Sequence, residues 1–146
     1  MTTTTMTKGE REAFLAETRV AVVGIAEAGR GPLTVPVWYS YAPGEVVRFV
    51  TGGASRKARL LRAAGRMSLC VQTETPPYKY ASVEGPAAIV GAPDWERDVR
   101  GMAFRYLGPQ MGEMYLTMTA EQHAGAVLVE LTPERWLTVD YAKAFA

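Results

Sequence analysis

The chain has 146 residues, of which 48% are hydrophobic and 21% are charged, so we expect one compact domain. Its 16 Lys and Arg residues nearly balance its 15 Asp and Glu residues, for a formal net charge of +1. This balance excludes a global electric field that would draw the molecule to nucleic acid or anionic lipid. A single cysteine, Cys70, and a single histidine, His123, exclude an internal disulfide and a Cys/His metal site.

The sequence does not predict a membrane span or an export signal. The apolar run over residues 20–28 is interrupted by Gly24 and Glu27, and a membrane-spanning helix needs about 20 apolar residues. Residues 1–7 are rich in threonine and lack both the charged start and the apolar stretch of a secretory signal. We therefore predict a cytoplasmic protein without membrane insertion, with a flexible N-terminal tail over residues 1–7 and a single domain over residues 8–146.

The first predicted elements are a helix and a hairpin. Residues 8–17 have helical spacing, with Thr7 as a plausible N-cap and Glu10 three residues later. The β-branched run over residues 20–25 predicts a strand, and Gly-Arg-Gly-Pro turns the chain into a return strand over residues 33–41. Pro36 has no amide hydrogen, which predicts a bulge or an edge position in that strand.

The remaining elements are mostly strands. We predict strands over residues 46–51, 67–73, 81–90, 126–131 and 136–141, and helices over residues 56–64, 94–107 and 120–124. Ser55 caps the helix at residue 56, and Gly108-Pro109 ends the helix that starts at residue 94. About seven strands with few helices favour a mainly β protein, an antiparallel barrel, because parallel strands would each need a crossover helix.

The segment from Thr51 to Lys57 carries the strongest chemical signal. Arg56 and Lys57 fall in the first turn of a predicted helix, where the helix dipole disfavours cations by up to about 1 kcal/mol. Together with the Thr51 and Ser55 hydroxyls and a glycine pair, they are typical of a phosphate site. Residues 46–73 contain six basic residues and no acid. The alternative is a solvated basic helix face whose charges pair with acids elsewhere, and spacing alone does not decide between the two.

Several motifs follow one another along nearly the whole chain. They are Arg19-Val-Ala-Val-Val-Gly-Ile-Ala, Val35-Pro-Val-Trp-Tyr, Thr51-x-x-x-Ser55-Arg-Lys-Ala-Arg-x-Leu, Arg66-Met-Ser-Leu-Cys-Val and Tyr80-Ala-Ser-Val-Glu-Gly. In this order they resemble the pyridoxamine 5'-phosphate oxidase-like split β-barrel flavoproteins. The late Arg105-Tyr-Leu-Gly is similar to the short branch of deazaflavin (coenzyme F420)-dependent reductases. The resemblance implies an antiparallel split β-barrel and a homodimer with two cofactor sites at its interface.

The resemblance also implies roles for particular residues. The family's cofactor-phosphate motif falls on Thr51, Ser55, Arg56 and Lys57. The strand that lies against the flavin ring falls on Val35, Pro36, Val37 and Trp38. Tyr80 falls on the strand through which the other subunit approaches the cofactor, and Trp136 falls near a tryptophan that closes the pocket. For Trp38, Tyr80 and Trp136, packing in the core or at the dimer interface is an equally open interpretation.

The resemblance implies an F420H2-dependent reductase that transfers hydride to an unsaturated or conjugated organic acceptor. F420 and FMN share a phosphate-bearing ribityl arm, so an FMN-dependent oxidoreductase stays an alternative, as does a flavin- or haem-binding protein without turnover. Pyridoxamine oxidation is disfavoured because no Arg-x-His pair follows Trp136. Nucleic-acid binding by the basic helix is also disfavoured, because its charges lack interleaved aromatic residues.

The sequence does not identify a catalytic residue. It contains no obvious nucleophile or acid/base pair, which suits hydride transfer with a proton from solvent or from a tyrosine such as Tyr80. His123 lies in a short polar helix, and we predict it to be an exposed surface residue. Cys70 alternates with apolar neighbours, which predicts a buried thiol rather than a reactive one.

Overall fold

One curled antiparallel sheet of seven strands forms the body of the protein in the computed structural model, which describes residues 3–145. The strands are β1 (Ala21–Ile25), β2 (Leu33–Val37), β3 (Val47–Gly52), β4 (Arg66–Gln72), β5 (Lys79–Ile89), β6 (Ala126–Leu131) and β7 (Arg135–Asp140). The α-helices are α1 (Lys8–Ala16), α2 (Arg56–Ala64) and α3 (Gly101–Met118). Short helical segments occupy Trp95–Arg100, Ala120–His123 and Tyr141–Phe145. The predicted class, a mainly β antiparallel split barrel with a few helices, is confirmed.

The strand order curls the sheet into a barrel. Hydrogen-bonded neighbours follow the order β2-β1-β4-β5-β6-β3, and β7 pairs with β5 outside this path. An isolated bridge between Ser40 and Arg48 joins the two ends of the sheet. Strand β5 pairs first with β7 and then with β6. At the change of partner a β-carbon on Gly85 would overlap Thr132 O, so only glycine fits there.

The barrel interior is filled by alternate residues of the strands. Val23, Leu69 and Val83 face one another across β1, β4 and β5, and each is at most 1% exposed. The hydroxyl of the buried Tyr39 donates a hydrogen bond to Leu15 O at 2.6 Å, which ties α1 to the barrel. Burial raises the pKa of Tyr39.

Local signals set the first residues of α1 and α2 as expected. Thr7 and Glu10 form a reciprocal capping box at the start of α1, which confirms that prediction. The Ser55 hydroxyl accepts a hydrogen bond from Ala58 N at 3.1 Å, so α2 begins where Ser55 predicts. Pro36 lies in β2, which is the edge strand of the sheet, as its missing amide hydrogen predicts.

The N-terminal segment corrects one expectation. Met6 is 5% exposed, its N donates to Thr138 Oγ1 at 3.0 Å, and Asp140 N donates to Thr4 O at 2.7 Å. The prediction of a flexible tail is therefore wrong for residues 4–6, which lie against β7. Met1 and Thr2 lie outside the described residues. A single apolar residue among threonines gives no periodic signal, so the sequence could not reveal this contact.

The helical region after β5 is longer than predicted. The chain turns sharply at Gly108 (φ 77°, ψ 172°), as Gly108-Pro109 predicts, but a further helical stretch then runs to Met118. Proline suits the first position of a helix, where its missing N–H needs no partner. The same dipeptide thus ends one helical stretch and starts the next.

Candidate functional site

A cavity of about 690 Å³ lies between the barrel and the helical region over residues 95–123. Its lining residues come from the residue before β1, from β2 and β3, from α2, from the start of β6 and from that helical region. They are Val20, Pro36, Val37, Trp38, Val50, Thr51, Gly52, Lys57, Asp98, Val99, Met102, Ala103, Tyr115, Gln122, His123 and Ala126. Most of these side chains are apolar, and such a surface suits a flat organic ring.

Aromatic contacts hold Trp38 at the cavity wall. Its indole stacks on Tyr106 at 5.0 Å between ring centroids, with the planes 5° apart, and it meets Tyr115 at 5.2 Å. The Tyr106 hydroxyl donates to Arg19 O at 2.6 Å and accepts from Tyr39 N at 3.1 Å. Trp38 is therefore fixed between the barrel edge and α3, beside Pro36 and Val37.

Hydroxyl groups and a lysine gather where β3 leads into α2. Thr51 Oγ1 lies 3.1 Å from Ser55 Oγ, and Thr51 is 7% exposed. Lys57 lines the cavity from the first turn of α2, and no carboxylate of the described residues forms an ion pair with it. We refer to Thr51, Ser55 and Lys57 as the cradle.

Arg56 has different surroundings from its neighbour Lys57. Its Nη2 atom lies 2.5 Å from Glu27 Oε2, and this hydrogen bond lowers the pKa of the Glu27 carboxyl. An ion pair with a distant acid is what a solvated basic helix face predicts. Arg62 likewise donates to Gly53 O at 2.9 Å, and Arg48 pairs with Glu130 at 2.9 Å. The charge of Arg56 is thus compensated within the chain, and a phosphate role for Arg56 stays a prediction.

Five of the predicted site residues do not line this cavity in a single chain: Ser55 and Arg56, described above, and Val35, Tyr80 and Trp136. Val35 belongs to β2 but does not line the cavity. Tyr80 pairs with Val139 on β7, on the half-buried outer face of the sheet. Trp136 lies under the guanidinium of Arg11, 4.8 Å from the ring centroid, and lines a separate cavity of about 350 Å³.

Four polar or aromatic residues line the cavity without having been predicted as site residues: Asp98, Tyr115, Gln122 and His123. Tyr115 belongs to the helical stretch that the sequence did not predict. His123 is half-buried, so the prediction of an exposed surface residue is wrong. Its imidazole meets Trp95 and Tyr115 edge-on, at 6.0 and 6.3 Å between centroids.

Asp98 is a buried charge with its partner in place. It is 1% exposed, and Arg97 donates to its two carboxylate oxygens at 2.7 and 2.8 Å. Burial opposes ionisation of Asp98, but the Arg97 guanidinium and the Asp94 N–H hold its pKa below the usual value. Its charge is therefore already satisfied on the cavity wall.

A sequence model of the family described as pyridoxamine 5'-phosphate oxidase matches residues 7–140. The chain belongs to this family. The family binds flavins and includes oxidoreductases. No curated protein matches the sequence significantly.

Several solved structures have folds similar to that of this chain. The conserved hypothetical protein Rv2991 from Mycobacterium tuberculosis is 23% identical, with a TM-score of 0.75 over 97% of this chain and 89% of that one. A structure named F420 reductase is 19% identical, with a TM-score of 0.62 over 86% and 94%. An FAD- and haem-binding protein from Mycobacterium smegmatis is 15% identical, with a TM-score of 0.67 over 92% and 71%. At these identities the likeness shows the fold.

Among residues 3–145, no group of three His, Cys, Asp or Glu side chains is placed to hold a metal ion. Within the same described range, no helix combines the length and the apolar character needed to cross a bilayer.

Proposed function

We propose that the protein is an F420H2-dependent reductase that passes hydride to an unsaturated or conjugated organic acceptor. The observation that carries this proposal is the layout of the large cavity. An aromatic and aliphatic wall at Pro36, Val37 and Trp38 lines the same cavity as two cradle residues, Thr51 and Lys57. Lys57 has no ion-pair partner among the described residues. A flat ring with a phosphate-bearing arm matches this combination.

The cradle has the donors that a phosphate group needs. Lys57 supplies an ammonium group, and the Thr51 and Ser55 hydroxyls lie 3.1 Å apart at the start of α2. Free N–H groups of the first helical turn add further donors. The chain also passes very close to β6 here, since a β-carbon on Gly53 would lie 2.9 Å from Gly125 O. Glycine at this position keeps side chains out of the turn that leads into the cradle.

The cavity wall explains how the chain would serve hydride transfer. Bound F420H2 supplies the hydride, which the protein's own side chains cannot provide. The wall residues Val37, Trp38 and Met102 exclude water and orient a ring. Because Trp38 is fixed by Tyr106 and Tyr115, the surface it offers is ordered before a cofactor binds.

FMN is the alternative cofactor, since a phosphate on a ribityl arm would occupy the cradle equally well. Support for F420 comes from the resemblance of Arg105-Tyr-Leu-Gly to the deazaflavin branch and from the neighbour named F420 reductase. Support for a flavin comes from the neighbour named as binding FAD and haem. The same geometry also supports a binding protein without turnover.

The outer face of the sheet supports the proposal of a homodimer. Val22, Cys70, Ser82 and Leu137 lie opposite one another on β1, β4, β5 and β7 and form one row across the sheet. Val22 and Leu137 are 45% and 63% exposed, so this face leaves apolar surface open to a second copy. Tyr80 lies in the adjacent row, from which it would reach a cofactor only in a partner subunit.

A comparison of cofactors tests the proposal. The purified protein is titrated with F420, FMN and FAD, with binding followed by fluorescence. The tightest complex is then reduced and mixed with quinones, enones and linear tetrapyrroles. We expect F420 to bind tightest and its reduced form to be oxidised by at least one acceptor class. Tighter FMN binding would favour the FMN alternative, and tight binding without oxidation would favour storage.

A further inference from the structure

The segment just before β6 brings two polar residues to the wall of the large cavity beside the turn that leads into the cradle. Gly52 of β3 pairs with Ala126 of β6, and Gly53 N donates to Gly125 O at 2.8 Å. The short helix Ala120–His123 ends just before this contact. Its last two residues, Gln122 and His123, line the same cavity as Thr51 and Lys57. The remaining lining of the cavity is mainly apolar.

The contacts of His123 leave one ring nitrogen available. Nδ1 lies 3.5 Å from Thr119 Oγ1, whose hydroxyl also donates to Tyr115 O at 2.7 Å. Nε2 has no hydrogen-bond partner among the described residues. The edge-on contacts with Trp95 and Tyr115 hold the ring in place at the cavity wall.

We propose that His123 is a further cofactor-binding residue, whose Nε2 atom binds the phosphate of the ribityl arm from the wall that faces the cradle. The inference rests on the proposed function and names the partner of one residue within that site. A protonated imidazole donates a charge-assisted hydrogen bond to an anionic oxygen, whereas a neutral imidazole carries no charge and has a single N–H. Binding of the phosphate arm is therefore strengthened as the pH falls.

The other charged groups of the cavity leave this role to His123. Lys57 and Asp98 are the charged residues that line it, with Tyr115 as a further titratable group. The Asp98 carboxylate accepts hydrogen bonds from Arg97 on both oxygens and forms none with the imidazole. Glu121, on the same short helix, is exposed and lies outside the cavity lining. His123 is also the sole histidine of the chain, so its titration is observed without overlap.

The test compares FMN with riboflavin, which has the same ring and ribityl arm without the phosphate. Affinities are measured for the wild type, for His123→Gln and for the control Glu121→Gln between about pH 5.5 and pH 8.5. We expect His123→Gln to weaken FMN binding by about tenfold or more at the acid end and by less than about threefold at the alkaline end. Riboflavin binding and the control variant stay unchanged. Titration of the ligand itself affects the wild type and both variants equally, because all three proteins are measured with the same ligand.

A second measurement needs no variant. The imidazole signals of the single histidine are followed by NMR, and we expect FMN to shift them and to raise the pH at which they titrate, whereas riboflavin leaves that pH unchanged. Equal effects of FMN and riboflavin, or an unchanged ratio of the two affinities in His123→Gln, would overturn the inference. The variant Lys57→Ala distinguishes failure of the proposed phosphate site from failure of the role of His123 alone. If it lowers the ratio of FMN to riboflavin affinity while His123→Gln does not, the proposed site stands and only the role of His123 fails. If neither variant lowers the ratio, both fail.

Discussion

Lys57 and Arg56 are adjacent cations in the first turn of α2, and their surroundings assign them different tasks. Lys57 faces the cavity without an ion pair among the described residues, whereas Arg56 is paired with Glu27 at 2.5 Å. The helix dipole disfavours a cation at this position. For Arg56 the compensation is visible within the chain. For Lys57 it would come from a bound anion, which is the reason for placing the phosphate there.

The two residues are therefore expected to respond differently to substitution. Lys57→Ala should weaken binding of the phosphate-bearing cofactor by about 2 kcal/mol, because it removes a charge-assisted hydrogen bond. Arg56→Ala should weaken the same binding by less than about 1 kcal/mol, because the Arg56 guanidinium is already paired with Glu27 and is partly exposed to solvent. Titration calorimetry measures both. Arg59→Ala on the exposed side of the same helix is the matched control. Equal losses in Lys57→Ala and Arg59→Ala would refute a specific role for Lys57.

Glu10 gives the folded state a defined pH dependence. Hydrogen bonds from Lys143 Nζ at 2.6 Å and from Thr7 N at 2.8 Å lower its pKa from 4.5 to about 2. A carboxyl group with a lowered pKa stabilises the folded state above its unfolded pKa, and this contribution is lost as the pH falls through the folded value. We expect the free energy of unfolding to decrease between pH 4.5 and about pH 2.

The variant Glu10→Gln should show a shallower decrease over the same pH range, because the titrating group is absent. Urea unfolding at a series of pH values measures the slope. Glu121→Gln serves as the control, since Glu121 is exposed and forms no ion pair among the described residues. A slope in Glu10→Gln identical to that of the wild type would rule out the assigned role of this carboxyl.

At the scale of elements, one hydroxyl connects α3 to the barrel. The Tyr106 hydroxyl bonds to Arg19 O and to Tyr39 N, and its ring stacks on Trp38. We expect Tyr106→Phe to lower the free energy of unfolding by about 1 to 2 kcal/mol, because Tyr39 N and Arg19 O lose a partner. Urea unfolding measures this difference. Tyr141→Phe is the control, since Tyr141 is 45% exposed. An effect of Tyr106→Phe no larger than that of Tyr141→Phe would show that the hydroxyl does not hold α3.

Elements with local signals could be predicted from the sequence, whereas contacts between distant segments could not. The capping residues Thr7 and Ser55 set the starts of α1 and α2, and alternating apolar residues located the strands. The helical stretch after Gly108 was missed because Gly108-Pro109 is a stop signal, and no local pattern shows that a helix resumes. The position of Tyr115 in the cavity depends on that stretch.

The candidate site divides in the same way. The grouping of Thr51, Ser55 and Lys57 at the start of α2 could be predicted because they belong to one short segment, and their role in binding a phosphate stays a prediction. The pairing of Arg56 with Glu27 joins residues 29 positions apart, and spacing could not favour it over a free cation. A short polar helix is typical of an exposed surface, and this pattern predicted His123 to be exposed. Its partial burial arises from contacts with Trp95 and Tyr115, which lie outside that helix.

At the scale of the whole molecule, the exposed apolar row on the outer face predicts the effect of one charge. Leu137→Glu should convert the proposed dimer to a monomer, because two copies would bury like charges in an apolar interface. Light scattering after size-exclusion chromatography gives the mass. Met118→Glu is the control, since Met118 is 80% exposed and lies at the end of α3, away from that row. A wild-type chain that runs as a monomer would refute the dimer, and an unchanged dimer in Leu137→Glu would refute this interface.

The most direct test of the proposed function is a crystal structure of the protein with F420 or FMN bound. We expect the phosphate oxygens within hydrogen-bond distance of Lys57 Nζ and of the Thr51 and Ser55 hydroxyls, with the ring system against Pro36, Val37 and Trp38. A phosphate bound beside Arg11 and Trp136, or a ring outside the large cavity, would contradict the proposal.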